Sequence, residues 1–262
     1  IFNKPYSPGV LNGWIDSLPE SQQVPLRNGL TRETYFEQVR VSDKENLRYL
    51  VSMYDGCIVE TDSELIAPIV NTLRLLNLFD KTIVIVTADH GEEFNEHQGL
   101  CHGEKYYDEV VHVPLIFNVP GVAPRIIQQC VQSIDIFPTL LRLLNIPAPY
   151  YVQGRDLASI VRGTDPDAND PFVFGSHHNA AYIRNKKWKL IVEKKGPSKN
   201  VLLYRLDSDP GETDNVAAVE MDMRNSLEKE LYLWERSLPD YGVERRQSAP
   251  PPFSRKEYKG YW

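Results

Sequence analysis

Cysteine is scarce in this chain: Cys57, Cys101 and Cys130 are the only three among 262 residues. They show neither the paired spacing of a metal knuckle nor the even count of a disulfide framework, so one bridge at most can form. Long apolar runs are missing too. No stretch approaches the ~20 residues that a helix needs to span a bilayer. No signal peptide and no Asn-x-Ser/Thr sequon is visible, and the second absence disfavours a heavily glycosylated secreted protein. Nor is there an excess of positive charge. A net charge of −7 argues against nucleic acid or an anionic membrane surface as partner. It leaves room for a small anionic substrate held in one local cationic pocket. The chain opens on Ile1 rather than Met, in IFNKPYSPGV, and is expected to be a processed chain or a fragment.

What is present suits a globular protein. The chain is 42% hydrophobic and 25% charged, enough to bury a core in one large domain or one and a fraction. Residues 1–31 read as loop. From Ser42 or Asp43, either able to cap, Leu47, Leu50, Val51 and Tyr54 fall at helical spacing. The period runs on through Ile58, Leu65, Ile69 and Leu73 to Leu76, with Gly56 and Pro68 as places of division. Ile83–Val86 is then a strand. It does not alternate polar and apolar, so both faces are expected to be buried, as in a parallel sheet between helices. VPLIFNV (113–119) is a second apolar run, and residues 133–146 form an amphipathic helix.

After about residue 165 the pattern changes. FVFGSHHNAAYIRNKKWKLIVEKK reads as two strands around an Asn185–Lys186–Lys187 turn, VLLYRL (201–206) as a third, and residues 214–234 as a helix. The tail SAPPPFSRKEYKGYW is expected to wrap over the surface. The reading is therefore an α/β large domain over residues 1–165 and a small antiparallel subdomain over 166–262.

The strand before TADHG delivers Asp89 and His90 at its carboxyl end, where ligands of α/β sheets sit. Adjacent strand residues point to opposite faces, so both reach one site only if the chain turns, which Gly91 permits. A carboxylate and an imidazole suit a divalent cation. The bland alternative is that Asp89 caps a following helix and His90 bonds locally. His97, His102 and His112 follow within about 20 residues, more histidine than a structural turn requires.

TIVIVTADHGEEFNEHQGLCHGEKYYDEVVHVPLIFNVPG resembles the C-terminal half of a sulfatase, in the alkaline phosphatase superfamily. It is similar in its hydrophobic strand, its T-x-D-H-G, its loop with E-H, its Lys or His before Gly, its Y-D/E-E and its V-P-L-I, in that order. DIFPTLLRLLNIP, YIRNKKWKLI and LLYRLDSDPGETDNVA extend the resemblance over most of residues 43–216. It implies an alkaline-phosphatase-like sandwiched sheet. It implies Asp89 and His90 as ligands of one Ca²⁺, with Mg²⁺ or Mn²⁺ as alternatives. His102 would contact the sulfate ester as a catalytic and substrate-binding residue. Tyr6, in NKPYSP, stands where many members have a sulfate-contacting His. His97 and His112 are expected to be structural, and His177 and His178 to bond at the surface. DSDPGE lacks the spacing of a calcium loop and reads as a turn.

The family's nucleophile, a formylglycine made in C/S-x-P-x-R, and its Asp-Asp pair are absent from these residues. The resemblance places them in an N-terminal segment or chain of roughly 200 residues, without which this chain is expected to have little activity. It implies a sulfated small molecule or carbohydrate as substrate. It also implies a periplasmic, secreted or lysosomal-type setting, with the cytoplasm not excluded. Two other readings stand beside it. One is a phosphonate monoester or phosphodiester hydrolase of the same superfamily. The other is a non-catalytic sulfatase-like module.

Overall fold

The computed structural model describes residues 44–103, 105–165, 172–177, 180–194 and 199–238. Tyr6, His178, the loop 1–31 and the tail 248–262 lie outside the described residues. The first element is one long helical run. It comprises α1 (Lys44–Thr61), a π segment (Asp62–Ile66) and α2 (Ala67–Leu75). Gly56 does not divide it. Pro68 does leave a mark: it has no N–H to give one turn back, and the helix widens to π geometry just before it. Many large apolar side chains along this run face outward. Ile58 is 54% exposed and Leu75 83%, with Val59, Leu65, Ile69 and Leu76 also exposed.

β1 (Val84–Thr87) follows a 3₁₀ turn and pairs antiparallel with β4 (Leu115–Asn118), Val84 opposite Asn118 and Thr87 opposite Leu115. This corrects the expectation of a strand buried on both faces in a parallel sheet. Among the described residues β4 is the only partner of β1, and no residue of β1 is fully buried. The apolar run promises two covered faces, and these residues cover only part of them. Between the two strands lie the short hairpin β2 (Glu93–Phe94) and β3 (Leu100–Cys101), then α3 (Asp108–Val111).

Beyond β4, a 3₁₀ turn (Ser133–Asp135) leads into α4 (Ile136–Leu143). Asp135 has no exposed surface, and hydrogen bonds replace its lost hydration. Its carboxylate accepts from the Gln132 and Arg155 backbone N–H groups at 3.0 and 2.7 Å and from the Arg155 guanidinium at 3.1 Å. The short α5 (Ala158–Arg162) is tied back through Leu157 N–H donating to Thr139 Oγ1 at 2.9 Å.

Four antiparallel strands form the second sheet. They are β5 (Val173–His177), β6 (Ala180–Arg184), β7 (Trp188–Glu193) and β8 (Asn200–Arg205), in that order. The sequence reading has three. Its first strand is two, because the chain reverses between His177 and Ala180, which face each other. α6 (Met221–Ser237) packs Leu227 and Leu231 against Ala181, Ile183, Leu190 and Leu203. Trp234 stacks on Phe174 at 5.0 Å. This is the main apolar core.

Candidate active site

Leaving β1, the chain presents Asp89 and His90 in a loop; no helix follows, so Asp89 caps none. The two side chains point the same way: His90 Nε2 lies 3.8 Å from Asp89 Oδ1. His90 Nδ1 sits 2.7 Å from the Gly91 carbonyl, which can only accept. Nδ1 therefore carries the proton, and in the neutral ring Nε2 keeps its lone pair. That arrangement is the usual preparation of a metal-ligating histidine. Asp89 also accepts the His90 backbone N–H at 3.0 Å, and its side chain is 90% exposed. An ordered but outward-facing carboxylate oxygen beside an imidazole lone pair fits two positions in a cation's shell. It does not complete one.

Gly91 matters for space rather than for a special turn. Its backbone N–H donates to the Val110 carbonyl at 2.8 Å, and Glu92 N–H to that of Glu109 at 2.9 Å. A Cβ on residue 91 would stand 2.0 Å from the Glu109 oxygen. Gly91→Ala is expected to push the loop off α3 at a cost of about 1–3 kcal/mol, as overpacking does. A lowered unfolding midpoint, with weaker metal retention, checks this.

The β2–β3 hairpin swings His102 back onto His90, and the two rings stack with centroids 3.6 Å apart. Cys101, just before it, is held at φ 69°, an uncommon conformation for a residue with a side chain. His102 Nδ1 lies 3.4 Å from Glu92 Oε2. Asp89, His90, Glu92 and His102 thus form one contiguous group.

A second cluster lies behind the hairpin. Glu93, His97 and Glu109 place ligand-type atoms within 4.8 Å of one another. A cation already occupies this nest: Lys105 Nζ lies 2.8 Å from Glu93 Oε1 and also bonds the His97 carbonyl. Both His97 ring nitrogens are engaged, Nδ1 with Glu109 at 2.6 Å and Nε2 with the Glu212 carbonyl at 2.9 Å. The ring lies flat on Tyr107, with centroids 3.4 Å apart. An ion would have to expel an ammonium and break these bonds, so we read the cluster as the frame of the loop.

That frame is bolted to the second sheet. Lys189, on β7, has no exposed surface and ends between two carboxylates. Its ammonium lies 2.8 Å from Asp108 Oδ1 and 2.8 Å from Glu212 Oε1, and it hydrogen-bonds Glu212 Oε2 at 3.1 Å. Arg184 holds the other oxygen of Asp108 at 2.8 Å, and Asp108 N–H donates to Glu212 Oε2 at 2.6 Å. Burial opposes ionisation of Asp108, but Lys189 and Arg184 outweigh it and hold the carboxyl below its ordinary range. In Glu212 burial wins over Lys189, and its carboxyl is held above that range. Burial also pushes the Tyr182 phenol up to about 12. DSDPGE is indeed a turn, and it serves to insert Glu212, left-handed at φ 52°, into this clamp.

The other expected residues fall elsewhere. His112 is exposed, 3.8 Å from Asp108, and His177 ends β5 at the surface. A cavity of about 1060 Å³ is lined by Thr87, Asp108, His112, Tyr182, Arg184 and Trp234 among others, but not by Asp89, His90 or His102. Sequence reasoning overlooked Glu92, Lys105, Lys189 and Glu212. Among the described residues, no helix is long and apolar enough to cross a membrane.

Known proteins resemble this chain over most of its length. The sulfatase family matches residues 28–146, and the N-sulphoglucosamine sulphohydrolase C-terminal family matches residues 97–236. The chain belongs to the sulfatase family. Arylsulfatase K of Bos taurus is 31% identical over 215 residues, 77% of this chain and 38% of that protein. The chain thus spans well under half the length of the curated relatives it matches. Phosphonate monoester hydrolase of Agrobacterium radiobacter is 28% identical at a TM-score of 0.65, over 75% of this chain and 43% of that one. A structure in complex with its substrate D-glucosamine-2-N,6-O-disulfate is 19% identical at a TM-score of 0.63, over 86% of this chain and 49% of that one, and shares the fold. The fold is accordingly that of the alkaline-phosphatase-like sulfatases.

Proposed function

We propose that this chain is the metal- and substrate-holding C-terminal portion of an enzyme that hydrolyses sulfate monoesters. The observation that carries the reading is the pairing of Asp89 Oδ1 with His90 Nε2, 3.8 Å apart, the histidine tautomer fixed by the Gly91 carbonyl. Asp89 and His90 would hold one Ca²⁺, with Mg²⁺ or Mn²⁺ as alternatives. Bound there, the cation would supply Lewis-acid stabilisation of charge on the sulfate oxygens. His102, stacked on His90, would donate a hydrogen bond to the ester oxygen. As the S–O bond breaks, the bonding pair stays on that oxygen and the proton from His102 neutralises it. Tyr6 would offer a neutral phenol donor to the sulfate.

The remaining ligands and the nucleophile, expected as formylglycine, would come from an N-terminal sulfatase segment or chain. The exposed apolar side chains of α1 and α2 and the half-covered β1 support such a partner, since isolated proteins rarely leave so much apolar surface open. In this reading residues 1–165 belong to the large domain and 166–262 form the small one. A sulfated sugar or other sulfated small molecule is the substrate. Sulfate release by the complete protein, assayed on an aryl sulfate and a sulfated monosaccharide beside a phosphonate monoester, tests the proposal. Sulfate release is the expected result. Turnover of the phosphonate alone would transfer the reading to the hydrolase class its solved neighbour represents. No turnover of any ester would leave a non-catalytic module.

A further inference from the structure

We infer that Glu92 is a positioning residue for the leaving-group step, aiming His102 rather than binding substrate or metal itself. The inference rests on the sulfatase reading above and deepens it. Three observations carry it. Glu92 Oε2 lies 3.4 Å from His102 Nδ1, which names the ring nitrogen that faces inward. The Glu92 side chain is only 22% exposed, and its Oε1 is buried with no hydrogen-bond partner among the described residues. A carboxylate serving stability alone has little reason to lose water on one oxygen while meeting a single exposed imidazole with the other. Finally, the Glu92 backbone is pinned by its N–H to the Glu109 carbonyl at 2.9 Å, so the carboxylate starts from a fixed point on α3.

The geometry then works as a short lever. α3, clamped to the second sheet, fixes the backbone of residues 91 and 92. Glu92 accepts the Nδ1–H of His102, and stacking on His90 fixes the plane of the ring. With Nδ1 turned to Glu92, Nε2 is the nitrogen that the proposed reaction assigns to the ester oxygen.

The distinguishing readout is dependence on the leaving group. Assistance to a departing oxygen matters for a sugar or alkyl alkoxide and hardly at all for a nitrophenolate, which leaves readily unaided. In the complete enzyme, Glu92→Ala is expected to lower kcat on an alkyl or sugar sulfate about 10–100-fold, the usual effect of losing a histidine's carboxylate partner. On nitrophenyl sulfate it should change kcat less than about threefold, with KM little altered on either. His102→Asn should show the same selectivity, and the double variant should lose little more than His102→Asn alone. Glu92→Gln, which keeps an acceptor oxygen and the shape, should recover part of the loss and guards against a fold effect. An equal loss on both esters in Glu92→Ala and Glu92→Gln overturns the inference and leaves the sulfatase reading intact. So does a His102→Asn variant without selectivity. A wild-type enzyme that releases no sulfate from either ester defeats the sulfatase reading itself, and the inference with it.

Discussion

Lys189→Met is expected to destabilise the protein by about 3–5 kcal/mol, the largest stability effect of any single substitution considered. The reason lies in what the substitution leaves behind. Methionine fills the volume, so the loss is not one of packing. It strands two carboxylates. Glu212 is 1% exposed, and its charge has no other cation among the described residues; Asp108 keeps Arg184, with the exposed His112 3.8 Å away. A charge buried without its partner costs far more than the pair itself contributes. Glu212→Gln in the same background removes one stranded charge and should recover part of the loss. Denaturant unfolding of the three proteins measures this, and a change below about 1 kcal/mol in Lys189→Met would show that the network is not needed.

The same groups set a dependence on pH. The Asp108 pKa is lowered from 3.8, so the stability it gives is complete above that value and lost as pH falls through the lowered one. Glu212 has the opposite sign. Its pKa is raised from 4.5, so its favourable contribution is present below 4.5 and lost as pH rises through the raised value. Glu212→Gln should therefore flatten the part of the stability profile just above the ordinary carboxylate range, and leave the acid limb due to Asp108 in place.

The largest effect on activity is expected at Asp89. In the complete enzyme Asp89→Ala should lower kcat/KM on any sulfate ester by on the order of 10³-fold or more, several kcal/mol of lost transition-state stabilisation. Unlike the Glu92 variant, it should do so whatever the leaving group, because the cation acts on the sulfate oxygens common to all esters. The side chain is 90% exposed and, among the described residues, bonds only to the next one, so the fold should hardly notice. An unfolding midpoint equal to that of the wild type, together with the lost activity, separates this role from a structural one.

The sequence made different parts of this molecule legible to different degrees. Asp89 and His90 stood out because a run of β-branched residues ends in them, and such a run has few reasons to end in charge. The long helices and most strands followed from period, but the short α3 and α5 did not, and the last helix starts at Met221 rather than at residue 214. The pairing of β1 did not. Its apolar residues say that two faces want cover, but not which strand or helix supplies it, and the described chain offers one antiparallel neighbour. The clamp was illegible for another reason. Lys189 sits in KWKLIV and Glu212 in DSDPGE, where a cation in a strand and an acid in a turn ordinarily face water. Only the meeting of residues 81 and 23 positions apart, in Asp108–Lys189 and Lys189–Glu212, buries them. Glu92 hid in the same way, as one acid among several in a loop.

Metal content of the complete protein, purified from a calcium-containing medium, tests the central claim most directly. The account predicts close to one equivalent of divalent metal in the wild type, and its loss in Asp89→Ala and in His90→Ala while the fold persists. Wild-type protein without metal, or both variants retaining a full equivalent, would contradict it.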